Sequence, residues 1–498
     1  MQYKFEEIAE IVKGTILCQH NALDIFNVIY DTRKTSYEKN SIFFAFKGAL
    51  NDGHEFLEEA YDLGIRNFVV SKKINKQSFP EANILRVHSC LMALQKLAAH
   101  HRQKFDIPII GITGSNGKTI VKEWLDKCLS QKYKVVKSPK SYNSQIGVAL
   151  SLLQIDESHE IAVIEAGISS KNEMRFLAKM IKPTLGIFTN IGDAHSSGFD
   201  SKEQKLLEKL ELFETAKNLI VCLDQVDLVS NMPSQLKSIA ISWSEKHQAD
   251  FKLVKEKGPT RETILKISHQ NRIYSFETDF HSREFIENLM HVVCCLIHLG
   301  FDQDEIQSSI SNLDSIENRL EIREGINDNL LINDSYSLDL ASLQLALEFQ
   351  DFHGKGLQKI LVISDFEQQL DKHQIYSELN ILLQDREFRK IYAIAIHQEY
   401  RGILKGLNIQ FFEDLNDFLN NSSYYTIANS CILIKGARRY RLESIFQKLS
   451  KQVHQTVLET HLSALDHNIN VYRSYLKDDT QLMAVIKAEA YGSGSAQL

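Results

Sequence analysis

Gly111-Ile-Thr-Gly-Ser-Asn-Gly-Lys-Thr119 stands between the apolar run Ile107-Pro-Ile-Ile110 and a stretch where Val121, Trp124, Leu125, Cys128 and Leu129 recur at helical spacing. The run reads as a buried strand and the stretch as an amphipathic helix, so Lys118 and Thr119 fall in the first helical turn. Backbone N–H groups of the loop and the positive end of the helix dipole then converge where a polyphosphate can rest. In that arrangement Gly114, Ser115, Asn116 and Gly117 line the phosphates of ATP. Lys118 reaches the β- and γ-phosphates, and the Thr119 hydroxyl ligates Mg2+. A plain strand-to-helix turn would account for the glycines but not for the Lys-Thr pair. The spacing is Gly-x-x-Gly-x-x-Gly-Lys-Thr, with Ile112 where the commoner pattern has glycine. That variant points away from GTPases and motor ATPases.

The 498 residues leave room for about three or four domains. A hydrophobic content of 43% with 24% charged residues suits a soluble globular protein. The net charge of −7 gives no electrostatic reason to expect nucleic acid or an anionic membrane as a partner. No apolar run approaches membrane-spanning length, and the start Met1-Gln-Tyr-Lys-Phe-Glu-Glu7 has no signal-peptide pattern. Scattered cysteines without a Cys-x-x-Cys pair read as reduced core residues of a cytoplasmic protein.

Strand-like runs alternate with helical ones along most of the chain, which predicts an α/β fold. Residues 1–105 form a first unit. Residues 106–312 open with the phosphate loop and continue through strands at Ile161–Glu165, Leu185–Asn190, Leu219–Leu223 and Ile239–Trp243, then a helix near Phe285–Leu299. This is the pattern of a doubly wound sheet whose ligands sit at the carboxyl ends of the strands. Residues 313–451 repeat the style with strands near Leu330–Asn333, Ile360–Ser364, Ile391–Ile396 and Cys431–Lys435. Residues 452–498 begin another unit: a strand near Val457, a helix from about Leu462 to Leu476, and a strand Leu482–Ile486 ending at Lys487.

Three residues after the phosphate loop recur where such sheets place chemistry. Glu165 closes an apolar strand, His195 follows the strand ending at Asn190, and Lys209 lies in a helix from Ser201 to Phe213. Glu165 and His195 could share magnesium with Thr119, although imidazole is a less usual magnesium ligand. Each has a plain alternative: a solvated strand end, a loop histidine that binds nothing, and, for Lys209, the solvated face of a charged helix.

These residues and others resemble the Mur ligases, and among them the branch that adds a dipeptide. The resemblance covers about residues 28–446. It includes Asp31-Thr-Arg33, Asp52-Gly-His54, Ser141-Tyr-Asn143, Glu165-Ala-Gly167, Thr189-Asn-Ile-Gly-Asp-Ala-His195, Glu208-Lys-Leu-Glu-Leu-Phe213, Asn318-Arg-Leu-Glu321, Asp334-Ser-Tyr336 and Lys435-Gly-Ala-Arg438. It implies a three-domain fold: a uridine-nucleotide domain, a central doubly wound ATPase domain and a Rossmann-like C-terminal domain. It implies ATP-dependent joining of D-alanyl-D-alanine to UDP-N-acetylmuramoyl-tripeptide through an acyl phosphate, in peptidoglycan synthesis. By the same resemblance Glu165 and His195 are metal ligands, and Lys209 carries a CO2-derived carbamate. Lys118, His195 and Lys209 become the catalytic set. Asn288, Arg319 and Asp334 contact ATP, while Thr32, Arg33, Asn143 and Lys435 contact the nucleotide-linked substrate. Ser337, Ala149, Asn172 and Ala437 depart from the family pattern at Asn, Pro, Gly and Ser respectively. Another Mur-type ligase adding a single amino acid, a folylpolyglutamate synthase-like enzyme and a non-catalytic scaffold are the alternatives.

The tail Leu482-Met-Ala-Val-Ile-Lys-Ala-Glu-Ala-Tyr-Gly492 resembles the start of alanine racemases. That resemblance implies the first piece of a TIM barrel, with Lys487 as the pyridoxal phosphate (PLP) lysine and Tyr491 near the cofactor phosphate. A whole barrel takes roughly 250 residues, so the expectation is a ligase with an inactive racemase fragment. PLP would belong only to a complete racemase domain. A complete racemase half would also favour a homodimer, and the oligomeric state is not otherwise legible in the sequence.

Overall fold

A computed structural model describes residues 1–498 except 21–23, 35–39, 49–50, 140, 193–197, 258–262, 279, 281–282, 314–319, 367–371, 452–461, 477–479 and 481–498. The molecule forms two compact units, Met1–Lys104 with Val453–Leu498, and Phe105–Gln452.

The first unit holds a five-stranded sheet in the spatial order Thr15–Cys18, Asn83–Arg86, Asn67–Val70, Ser41–Phe44, Asn27–Ile29. Only the outer pair Thr15–Cys18 and Asn83–Arg86 is antiparallel. Ser41–Phe44 and Asn67–Val70 are buried along their whole length, as strands covered on both faces must be. Thr32 is buried in the 3-10 turn Thr32–Lys34, which follows the strand Asn27–Ile29, whereas Arg33 is exposed and bonds Asp31 at 2.9 and 3.0 Å. His54 locks the Asp52-Gly-His54 turn. Its Nε2 accepts the Ser71 N–H at 2.9 Å, so Nδ1–H donates to Asp52 Oδ1 at 2.6 Å. The expected tail helix is present as Leu462–Tyr475, with Tyr472 and Tyr475 exposed. The expected strands near Val457 and at 482–486 lie outside the described residues, as do Lys487 and Tyr491.

The second unit contains a nine-stranded and a six-stranded sheet. The larger runs Arg272–Thr278, Thr263–His269, Phe251–Lys257, Ala240–Ser244, Asn218–Cys222, Leu185–Phe188, Ile109–Thr113, Ile161–Glu165, Val135–Lys137. From Phe251–Lys257 to Val135–Lys137 every neighbouring pair is parallel. The helix Arg283–His298 buries Phe285, Leu289, Val292 and Leu296 in the same core as Trp124 and Leu125 of the phosphate-loop helix Lys118–Leu129.

One feature differs from the doubly wound reading. Phe251–Lys257, Thr263–His269 and Arg272–Thr278 form an antiparallel meander that extends the parallel sheet. Phe251, Leu253, Leu265, Ile267 and Phe276 are buried while charged residues lie between them, the alternation of a sheet with one wet face. Its outer edge is closed by side chains: Gln303 Oε1 accepts the Ser275 N–H at 3.1 Å and Gln307 Oε1 accepts the Glu277 N–H at 2.8 Å.

The smaller sheet runs Glu321–Glu324, Leu330–Asp334, Ser430–Lys435, Gln358–Ser364, Lys390–Ile394, Ile409–Phe412, antiparallel only at the first pair. Asp334 and Lys435 are register partners at the carboxyl ends of adjacent parallel strands. Among the described residues no helix is long and apolar enough to cross a membrane.

Candidate active site

The strand Ile109–Thr113 is wholly buried between Leu185–Phe188 and Ile161–Glu165, so the phosphate loop emerges at the carboxyl ends of three adjacent parallel strands. Gly114 at φ +150° and Gly117 at φ +80° adopt backbone that side chains disfavour. Space forbids a side chain as well. A Cβ on Gly114 would lie 2.0 Å from Thr189 Oγ1, and one on Gly117 would lie 2.1 Å from Asn288 Oδ1. Thr189 and the neighbouring Asn190 fasten the loop: Thr189 Oγ1 donates to the Asn116 carbonyl at 2.6 Å, Asn190 Oδ1 accepts the Asn116 N–H at 2.9 Å, and the Asn190 carbonyl accepts the Ser115 N–H at 2.8 Å. Lys118 Nζ donates to the carbonyls of Gly114 and Ser115, both at 2.9 Å.

Glu165 is fully buried at the end of its strand, which rules out the solvated strand end. Its Oε2 accepts from Thr119 Oγ1 at 2.9 Å and its Oε1 from Asn143 Nδ2 at 2.7 Å. Lys122 Nζ stands 4.0 Å from Oε2, held by the Ser138 carbonyl at 2.9 Å and Glu123 at 2.8 Å. A hydroxyl and a carboxylate oxygen side by side at a phosphate loop are the hard donors that magnesium takes. Among the described residues no three His, Cys, Asp or Glu side chains gather as a ready-made metal cage. His195, the other expected metal ligand, lies outside the described residues.

The solvated-face alternative for Lys209 fails. Its side chain is buried, and Nζ donates to the Gly114 carbonyl at 3.0 Å. Burial, then the nearby Lys118 and Lys205 cations, hold the amine well below the usual lysine range. Lys205, one helical turn earlier, is also buried and donates to the Gly192 carbonyl at 2.5 Å, an acceptor shared with Ser115 Oγ at 3.1 Å.

Behind the loop runs a buried polar chain. Trp243 Nε1–H donates to His291 Nδ1 at 3.3 Å, which leaves the imidazole proton on Nε2 to donate to the Thr189 carbonyl at 3.1 Å. Gln225 Nε2 donates to that same carbonyl at 2.7 Å. Burial pushes His291 down to about 4, so the ring is neutral at pH 7.

A cavity of about 490 Å3 opens beside the loop. It is bordered by Asn116, Gly117 and Asn288 on the larger sheet's side and by Asp334, Ser337 and Lys435 from the smaller sheet's side. Lys435 Nζ and Asp334 Oδ2 are 2.6 Å apart, a buried pair at its wall. The structure thus brings together Gly114 to Thr119, Asn143, Glu165 and Lys209 around the loop, with Asn288, Asp334 and Lys435 at the cavity. Arg319 lies outside the described residues, and Thr32 and Arg33 belong to the first unit.

The Mur ligase middle-domain model matches residues 112–296, and the alanine racemase N-terminal-domain model matches residues 460–498. The UDP-N-acetylmuramoyl-tripeptide–D-alanyl-D-alanine ligase of Bacillus subtilis (strain 168) is 28% identical over 455 residues, 89% of this chain and 97% of that protein. Over most of its length the chain is similar to Mur ligases. Solved structures agree on the fold. MurF from Acinetobacter baumannii superposes with a TM-score of 0.77 at 22% identity, covering 90% of this chain and 99% of that one. MurF from Thermotoga maritima in complex with ADP gives 0.70 at 22% identity, over 85% and 96%.

Several residues at the site escaped the sequence reading. Lys122 and Lys205 lie four residues from Lys118 and Lys209, on the same helical faces, a spacing that could have flagged them. Gln225, Glu284 and His291 had no motif to announce them. Asn172, which stands at a position where glycine is common in the family, has φ +64°, a conformation that asparagine tolerates better than most residues.

Proposed function

We propose that this chain is a Mur ligase that joins D-alanyl-D-alanine to UDP-N-acetylmuramoyl-tripeptide at the expense of ATP. The observation that carries the reading is the placement of Lys118, the Thr119–Glu165 pair and the buried Lys209 around one phosphate loop. The loop amides and Lys118 hold the ATP phosphates with the γ-phosphorus exposed to attack. Thr119 and Glu165 would hold magnesium, which neutralises charge on the transferring phosphoryl group. The tripeptide's terminal carboxylate attacks the γ-phosphorus; ADP leaves and an acyl phosphate forms. The dipeptide amine, in its neutral form, attacks the acyl carbon; inorganic phosphate departs with the C–O bonding pair, and the nitrogen gives up one further proton as the amide forms.

Lys209 fits a further role in that scheme. Burial and the neighbouring cations make the Lys209 amine easier to deprotonate, and the free amine is a nucleophile toward CO2: the N–C bond forms, a proton leaves, and a carbamate anion replaces the amine. Such an anion would serve a second magnesium beside Gly114 and would also be better matched than the bare amine to the Lys118 and Lys205 cations.

Phosphate release tests the reaction. With UDP-N-acetylmuramoyl-tripeptide and ATP present, D-alanyl-D-alanine should stimulate turnover and single amino acids should not. Stimulation by an amino acid or glutamate alone would move the chain to another branch of the family. Lys118→Ala should remove turnover, and unchanged turnover in that variant would defeat the ATPase assignment.

The 460–498 match spans one helix and one strand's length of sequence, and a racemase barrel draws its catalytic groups from several strand ends.

A further inference from the structure

Lys122 is the one charged side chain of the phosphate-loop helix that is fully buried, and the proposed reaction has so far given it no task. Burying an ammonium is costly unless a carboxylate answers it. Two carboxylates stand nearby. Glu123, at 2.8 Å, is matched from its other side by Lys137, which lies 2.5 Å from Glu123 and 2.5 Å from Asp126. Glu165, fully buried, places its Oε2 4.0 Å from Lys122 Nζ. Thr119 and Asn143, which donate to the Glu165 carboxylate, are neutral, so among the described residues Lys122 is the cation paired with it.

The ammonium is also tied in place. Its Nζ donates to the Ser138 carbonyl at 2.9 Å, and Ser138 Oγ accepts the Glu165 N–H at 3.2 Å. Lys122 is thereby fixed next to Glu165 Oε2, the oxygen that also accepts from Thr119. A carboxylate with a fixed ammonium beside it has little net charge to offer a bare dication, and in a buried site the ion and the ammonium repel strongly. The phosphates of a nucleotide change that balance, because they bring several negative charges to the same place.

We propose that Lys122 is a positioning residue: a built-in counter-cation for Glu165 that keeps free divalent metal out of the nucleotide-free loop and admits it only together with the nucleotide's phosphates. The inference rests on Thr119 and Glu165 as the magnesium ligands of the proposed reaction, and it adds the residue that makes their metal binding conditional.

Mn2+ is the probe, its bound fraction read by electron paramagnetic resonance on the full chain with and without ADP. Glu165→Gln marks the fraction that belongs to this carboxylate, and the wild type should hold that fraction only when ADP is present. Lys122→Gln keeps an N–H donor for the Ser138 carbonyl but lacks the charge, and should bind nucleotide-free Mn2+ about 10-fold or more tightly than the wild type. Lys122→Arg keeps the charge and should exclude the bare ion as the wild type does, a rescue that a purely structural role would not give. A Lys122→Gln protein that takes up Mn2+ with ADP, yet without ADP binds it no more tightly than the wild type, would overturn the counter-cation. So would nucleotide-free Mn2+ in the wild type that Glu165→Gln removes, a result that needs no Lys122 variant to fold. A wild type that holds no Mn2+ at Glu165 even with ADP would defeat the magnesium reading and this inference together.

Discussion

Lys209 shows how far a residue's surroundings can move its chemistry. An amine in water is protonated and inert toward CO2; this one is buried beside two other cations and presses its Nζ on the Gly114 carbonyl. A lysine whose pKa is held below its unfolded value opposes folding over the interval between the two, where the unfolded amine keeps a proton that the folded one releases. Lys209→Ala should lower ligase turnover at least 100-fold without loss of ATP binding, and acetate or formate should restore part of it by supplying the missing anion. Full activity in Lys209→Arg, which cannot form the carbamate, would sink the proposed modification. The residue itself was legible only by family resemblance. Lys202–Glu214 is charged along its length, and composition cannot tell that Lys205 and Lys209 share the buried side with Leu206 and Leu210.

His291 offers a second test at the same scale. Its imidazole titrates near 4 when folded, against an ordinary value of 6.5, because burial disfavours the cation. Between those values the unfolded chain takes up a proton that the folded chain refuses. The contribution is intact above about pH 6.5 and is lost as pH falls toward 4, reaching about 3 kcal/mol. Urea unfolding of the second unit should therefore show a steeper loss between pH 7 and 4.5 in the wild type than in His291→Gln. An identical pH dependence in the two would mean that the ring protonates within the fold.

At the scale of elements, the parallel part of the larger sheet was readable because its strands are continuous apolar runs. The meander was not. Phe251-Lys-Leu-Val-Lys-Glu-Lys257 mixes charge into a strand wet on one face, and nothing in its short period says that it will extend a parallel sheet. The last strand, Arg272–Thr278, is an edge, and edges recruit other strands. Here Gln303 and Gln307 satisfy two of its N–H groups, so the helix Gln303–Ile310 acts as a cover as well as a packing layer. Removing both amides with Gln303→Ala and Gln307→Ala should cost about 1–2 kcal/mol. It should also raise the fraction of associated protein in sedimentation at high concentration. A double variant that stays as monodisperse as the wild type would show that the edge is protected by other means.

For the molecule as a whole, the functional site of the second unit is shared by two sheets. The larger supplies the loop, Glu165, Lys209, Gln225 and Glu284; the smaller supplies Asp334 and Lys435 on the cavity wall. The motifs at both strand ends were visible in the sequence. Their convergence on one 490 Å3 cavity was implied only by the family resemblance, because it depends on how two sheets pack rather than on any local pattern. The shared wall has a thermodynamic consequence. A ligand that touches both sheets in the folded state stabilises both, by about 2.7 kcal/mol at a hundred times its dissociation constant. Saturating ADP with magnesium should therefore slow amide exchange in Ser430–Lys435 and Leu330–Asp334 as well as in Ile109–Thr113. Lys435→Ala leaves the Asp334 carboxylate buried without its cation, which costs about 3 kcal/mol or more. It should also uncouple the smaller sheet's protection from nucleotide while the loop side keeps it. Protection confined to the phosphate-loop strand in the wild type would show that the nucleotide belongs to the larger sheet alone.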